Sequence, residues 1–154
     1  MREERSVYAK ILVPMDGSPT STSGLVEAIR LAKSEGAALR LVHVLEDFKF
    51  VAGAEDAVYL GNTADLLREA GAVVLAPAEA LARESGLAPE SITREAVGGR
   101  AAPVIVDEAK KWGAELIVLG TRGRRGVERL IMGSDAEEIV RTTPVPVLLV
   151  RSRE

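Results

Sequence analysis

Short apolar runs alternate along the chain with longer segments in which apolar residues recur at helical spacing. The pattern predicts five strands, over 10–14, 39–45, 91–97, 115–119 and 145–150. The first of them is expected to start slightly before its apolar run, near Tyr8. The amphipathic segments predict helices over 18–36, 63–86, 101–113 and 134–142. Pro77 is expected to kink or divide the second helix. Residues 46–61 have no clear period and are predicted to form a long loop.

Strands that alternate with helices are typical of parallel sheets with right-handed crossovers. Runs of Val, Ile and Leu fit strands covered on both faces. We therefore predict an α/β fold with one domain over residues 1–154: an open five-stranded parallel sheet, order 3-2-1-4-5, with helices on both faces. Pro146 cannot donate within a ladder, so the fifth strand is expected at the sheet edge. Its apolar edge is expected to be covered or to be paired with another chain.

The composition excludes several classes of function. The chain has 20 basic and 23 acidic residues, and its pI near 5.4 argues against general nucleic-acid binding. The absence of cysteine removes disulfides, thiolate metal sites and cysteine nucleophiles. The single histidine, His43, lies in a predicted strand and is interpreted as a packed residue. Residues 1–6 do not resemble a signal peptide, and no apolar run reaches 18 residues. We therefore expect a cytoplasmic protein that does not bind membranes.

A glycine pattern follows the fourth strand. Gly120, Gly123, Gly133 and Ser134 form the spacing G-x2-G-x9-G-S. Glycines let backbone N–H groups approach a phosphate closely, and the positive end of the helix that begins near Ser134 favours an anion. The pattern is neither a Walker loop nor a dinucleotide fingerprint. Taken alone, it fits a phosphate site and a ligand-free alternative equally well. In that alternative, a flexible loop precedes a helix whose Ser134 and Glu137 form a capping box.

A carboxylate after the first strand suggests the second half of a site. Asp16 is expected at the carboxyl end of strand one, and Gly120 at that of strand four. In the order 3-2-1-4-5 these strands are neighbours, and the connections that follow them run toward opposite edges of the sheet. Their carboxyl ends therefore flank the switch point where open α/β sheets bind ligands. Asp16 could there accept hydrogen bonds from ribose hydroxyls or hold a cation beside phosphates. The alternative is an Asx turn or a helix cap.

These motifs resemble the universal stress protein family over nearly the whole chain, in KILVPMDGS, LVHV, residues 97–103, LIVLGTRG, MGS and PVPVLLVR. The glycine pattern resembles that of the family's ATP-binding branch. The resemblance implies a Rossmann-like fold of the adenine nucleotide alpha hydrolase type. It also implies a nucleotide-dependent regulatory module of the stress response that binds ATP, or ADP or AMP, with Mg2+ or Mn2+. Family members usually dimerise through the last strand, which implies a homodimer through residues 145–150.

The resemblance also implies roles for individual residues. Asp16 looks like the residue that contacts the ribose or the metal, Pro14 and Met15 would line the adenine, and the backbone of Val44 would contact the adenine edge. The phosphates would be bound at a set of residues that comprises Gly120, Thr121, Arg122, Gly123, Gly133, Ser134 and Asp135.

Asp135 departs from the family pattern, in which a small apolar residue is frequent there. A carboxylate at this position costs affinity for a triphosphate unless it faces away or binds a cation. Four arginines at positions 122, 124, 125 and 129 could offset its charge and hold the γ-phosphate. The alternative for Arg124 and Arg129 is a solvated basic loop. The aromatic residues of the loop at 46–61 could cover the base or shield the core.

The alternative function is a slow ATPase or an adenylate-handling enzyme. Besides Asp16 the sequence offers no candidate general base or nucleophile, and the signature of related adenylating enzymes is absent. We therefore assign no catalytic residue, and a binding function is favoured.

Overall fold

The computed structural model describes residues 6–46, 63–96, 98–121 and 132–152. In chain order the elements are β1 (Lys10–Pro14), α1 (Pro19–Glu35), β2 (Ala38–Leu45), α2 (Thr63–Glu84), β3 (Glu90–Glu95), α3 (Ala102–Trp112), β4 (Leu116–Thr121), α4 (Ser134–Thr142) and β5 (Val147–Arg151). The loop predicted at 46–61 lies outside the described residues except for Glu46, and so do Arg122 and Gly123 of the glycine pattern.

All five strands pair in parallel in the order β3-β2-β1-β4-β5, which confirms the predicted sheet. β5 lies at one edge, as Pro146 indicated. The carbonyl of Pro146 accepts a hydrogen bond from the Ile117 N–H at 2.9 Å, so this proline joins the ladder only as an acceptor.

Helices cover both faces of the sheet, and β1 shows this most directly. Ile11 and Val13 pack in a core with α1 and α2, whereas Leu12 packs in a second core with α3 and α4. All three side chains are essentially fully buried. A strand whose alternate residues enter two separate cores needs an apolar residue at every position, which explains its unbroken apolar run.

The ends of α1 follow from local sequence. Ser18 is the N-cap, and its hydroxyl oxygen accepts a hydrogen bond from the Ser21 N–H at 3.1 Å. Pro19 occupies the first turn, where a missing N–H costs nothing. Gly36 ends the helix in the left-handed conformation, with φ 68°. Both predicted ends of this helix are thus confirmed.

Among the differences from the predictions, two concern Pro77 and Gly120. α2 continues as one helix through Pro77, so the expectation that this proline could divide it is wrong. β4 extends beyond the predicted Leu119, since Gly120 pairs with Val150 and Thr121 with Arg151. Gly120 therefore belongs to the strand itself. None of the helices within the described ranges is long and apolar enough to cross a membrane.

Candidate functional site at the carboxyl ends of the strands

A cavity of about 710 Å³ lies at the carboxyl ends of β1, β2 and β4. Residues of α1, α3 and α4 complete its walls. α1 packs on one face of the sheet and α4 on the other, so the cavity lies at the switch point between β1 and β4. Its volume falls within the range of small-molecule sites.

Most residues predicted for the site line this cavity. They come from both halves of the sequence and comprise Pro14, Met15, Asp16, Val44, Gly120, Thr121, Gly133, Ser134 and Asp135. Arg122 and Gly123 fall outside the described residues. The fold therefore brings together the two motifs that follow β1 and β4, which are far apart in sequence.

Other lining residues were missed from the sequence. They lie at or in α1, α3 and α4 or near the predicted positions: Ser18, Thr20, Ser21, Val42, His43, Leu45, Glu46, Ala101, Ile105, Leu119, Met132, Ala136 and Ile139. A signal existed for Ser18 and Ser21, because the first turn of the helix that follows a strand end must lie beside the site. The apolar residues of α3 and α4 gave no such signal, since they read as ordinary core positions.

Asp16 forms the Asx turn considered as the alternative to a ligand role. Its Oδ1 accepts a hydrogen bond from the Ser18 N–H at 2.8 Å, and Gly17 between them has φ 84°, a conformation that favours glycine. Partial burial opposes ionisation of the carboxyl group. Interactions with the hydroxyl and N–H of Ser18 and the hydroxyl of Ser21 outweigh that effect and hold the pKa of Asp16 below its usual range. The site thus contains an ionised carboxylate at neutral pH.

The turn after β1 is attached to β2 by two hydrogen bonds of Met15. Its N–H donates to the Val42 carbonyl at 2.8 Å, and its carbonyl lies 2.7 Å from Nδ1 of His43. A carbonyl oxygen only accepts, so Nδ1 of His43 carries the hydrogen. His43 is half-buried in β2 and also lines the cavity. The histidine thus helps to hold in place the backbone that leads to Asp16.

Gly120 lies where the backbones of β4 and α1 approach each other closely. A Cβ atom added there would fall 2.6 Å from the carbonyl carbon of Thr20, and closer to its oxygen. A Cβ atom on Gly24 of α1 would likewise lie 2.9 Å from the Gly120 nitrogen. Helix packing therefore requires glycine at position 120, whether or not a phosphate binds. A Cβ atom at Gly133 meets no described atom within 4 Å.

The N-terminus of α4 lacks the predicted capping box. The N-cap is Gly133, with φ −65° and ψ 163°, and it provides no side-chain hydrogen bond. Ser134 is already the first helical residue, so it cannot act as the cap. The carboxylate of Glu137 instead accepts a hydrogen bond from Arg141 at 2.9 Å. The capping box of the ligand-free alternative is thus wrong. Among the described residues, no side chain caps the first N–H groups of α4.

The described lining of the cavity carries three carboxylates, on Asp16, Glu46 and Asp135, and contains no Lys or Arg side chain. Within the described ranges no three acidic or histidine side chains are grouped as metal ligands. A divalent cation here would therefore need ligands from a bound molecule or from water as well.

Comparison with known proteins supplies the family. The sequence model described as "Universal stress protein family" matches residues 8–151. The chain belongs to the universal stress protein family. It is 36% identical to Universal stress protein MJ0531 of Methanocaldococcus jannaschii, over 98% of this chain and 86% of that protein. It is 34% identical to the universal stress protein of the QAH/OAS sulfhydrylase 3' region of Thermus aquaticus, over 94% and 100%.

Solved structures of this family share the Rossmann-like fold. A family protein from Burkholderia pseudomallei superposes with a TM-score of 0.69 at 31% identity, covering 96% of this chain and 98% of that one. A universal stress protein from Archaeoglobus fulgidus, solved in complex with dAMP, superposes with a TM-score of 0.62 at 23% identity, covering 94% and 98%. The second likeness shows the fold alone.

Proposed function

We propose that this chain binds an adenine nucleotide, ATP or alternatively ADP or AMP, and acts as a nucleotide-dependent regulatory module of the stress response. One observation carries the proposal: a single cavity at the switch point joins the Asp16 turn to the N-terminus of α4, whose N-cap Gly133 has no side chain to cap the helix. Uncapped N–H groups at a helix start favour an anion such as a phosphate. The dAMP complex of a protein with the same fold is consistent with this class of ligand.

The proposed nucleotide lies across the ends of β1, β2 and β4. Pro14, Met15 and Val44 provide an apolar wall for the adenine; Met15 is only 4% exposed and so belongs to the rigid core. The carboxylate of Asp16 accepts from the ribose hydroxyls. The phosphates extend toward the motif residues Gly120, Thr121, Gly133, Ser134 and Asp135, together with Arg122 and Gly123 from the sequence pattern.

A divalent cation, Mg2+ or Mn2+, is proposed to accompany the nucleotide. Mg2+ commonly keeps several waters and uses one or two carboxylates together with ligand phosphates. The ionised carboxylate of Asp16 fits that requirement as a single protein ligand. When bound, the cation would neutralise part of the phosphate charge beside the acidic lining of the cavity.

Nucleotide release and calorimetry test the proposal. Protein denatured after purification should release an adenine nucleotide detectable by chromatography, and the emptied protein should give binding heat with Mg-ATP, ADP or AMP. Asp16→Asn should weaken binding. The matched control is Asp107→Asn, since Asp107 is exposed on α3, lies outside the cavity lining and pairs with Lys111 at 2.8 Å. Absence of both released nucleotide and binding heat would overturn the proposal.

We also propose that two copies pair through β5 and residues 145–150. β5 is an edge strand, and Val147, Leu148, Leu149 and Val150 remain only half-buried within one chain. Sedimentation equilibrium should give twice the mass of 16.4 kDa at micromolar concentration. The mass of a single chain at those concentrations would contradict the proposed dimer.

A further inference from the structure

Asp135 is a carboxylate at the proposed phosphate end of the cavity. It is the second residue of α4, is half-buried and lines the cavity beside Ser134. Among the described residues no hydrogen bond or ion pair involves its side chain. The other two acids of the helix are neutralised locally, since Glu137 pairs with Arg141 and Glu138 with Arg100. Within the described part of the chain, no side chain offsets the negative charge that Asp135 contributes to the cavity wall.

The position of this charge acts against phosphates in two ways. A carboxylate in the first turn of a helix itself interacts with the positive end of the helix. This interaction weakens the attraction of that end for a bound anion. It also repels phosphate groups directly, and this repulsion grows with each charge that the ligand carries. Asp16, whose lowered pKa keeps it ionised, lies in the same lining and adds to the repulsion. A triphosphate is therefore penalised more than a monophosphate.

We infer that Asp135 sets the phosphate preference of the site: it disfavours a metal-free triphosphate relative to a nucleoside monophosphate. A divalent cation bound to the triphosphate relieves the penalty, because it lowers the net charge that faces Asp135. The inference rests on the proposed nucleotide site and deepens it, since it assigns the number of phosphate charges that the site accepts.

Calorimetric titrations with adenosine, AMP and ATP, each with EDTA and with Mg2+, test the inference. Asp135→Asn should bind metal-free ATP about tenfold more tightly than the natural protein, equivalent to about 1.4 kcal/mol. The gain for AMP should be about two- to threefold, and adenosine affinity should not change. Added Mg2+ should improve ATP binding less in Asp135→Asn than in the natural protein.

Glu137→Gln is the matched control. It removes the same charge two residues further along α4, from a side chain that is exposed and lies outside the cavity lining. Its ratio of ATP to AMP affinity should equal that of the natural protein. If Asp135→Asn leaves this ratio unchanged while AMP still binds, the inference fails and the nucleotide site stands. If neither adenosine nor any nucleotide binds either protein, the proposed function itself fails.

Discussion

Gly120 and Gly133 both belong to the glycine pattern, yet the structure assigns different constraints to them. We consider Gly120→Ala and Gly133→Ala as a pair of single-methyl perturbations. Neither glycine has a positive φ, so alanine fits the backbone conformation at both positions. Any difference between the two variants must therefore come from the space around the new methyl group.

The available space predicts a large difference in the free energy of unfolding. At position 120 the methyl carbon would lie 2.6 Å from the Thr20 carbonyl carbon, whereas ordinary contact begins at 3.4 Å. The obstacle is backbone, so β4 and α1 must separate, and the cost should reach the upper end of overpacking, about 3 kcal/mol. Alanine also lowers the conformational entropy of the unfolded chain, which stabilises the folded state by up to about 1 kcal/mol. At position 133 the methyl group has open space. Alanine is a poorer N-cap than glycine by about 1 kcal/mol, and this cost nearly cancels the stabilisation from the lower entropy of the unfolded chain.

Differential scanning calorimetry measures this difference. For a chain of this length about 2–3 kcal/mol corresponds to a fall in Tm of roughly 4–12 °C, which we expect for Gly120→Ala, while Gly133→Ala should melt close to the natural protein. Nucleotide affinity should then fall in Gly133→Ala without a loss of stability. Equal melting temperatures for Gly120→Ala and the natural protein would refute the close approach of α1 and β4.

Two further predictions concern charged groups. The side chain of Glu108 is 4% exposed and pairs with Arg40 at 2.7 Å and Arg94 at 3.1 Å. Glu108→Gln should lower the free energy of unfolding, measured with denaturant, by about 3 kcal/mol. Glu115→Gln, at an exposed position, should leave it unchanged. Because the pKa of Asp16 is lowered in the folded state, its ionised form stabilises the fold above the ordinary value of 3.8. The stability difference between the natural protein and Asp16→Asn should therefore be present at neutral pH and disappear as the pH falls below that value; a difference independent of pH would contradict it.

The sequence sufficed for the sheet because its apolar strands and the ends of α1 carry strong local signals, although the edge strand β3 (ESITRE) does not. Apolar residues at consecutive positions of β1 follow from its burial on both faces. Ser18, Pro19 and Gly36 each mark an end of α1 through their own backbone chemistry. Pro146 identified the edge strand because a missing N–H restricts its position in any sheet.

The site was less predictable because its details depend on contacts between distant segments. The glycine at position 120 was attributed to phosphate access, but its proximity to Thr20 follows from the packing of α1 on β4. Ser134 and Glu137 have the spacing of a capping box, yet the adjacent Gly133 takes the cap position. Such a shift by one residue is beyond local sequence patterns. The lining residues of α3 could be recognised only once the fold placed them beside the cavity.

The cavity is bounded by elements from both helical layers, with α1 on one face of the sheet and α4 on the other. A ligand bound there would touch both layers at once, so opening of either layer would require its release. Binding would then couple the local stabilities of two cores that the sheet otherwise keeps apart. Amide exchange should slow together in the first turns of α1 and α4, which would let a single small molecule control the rigidity of both surfaces.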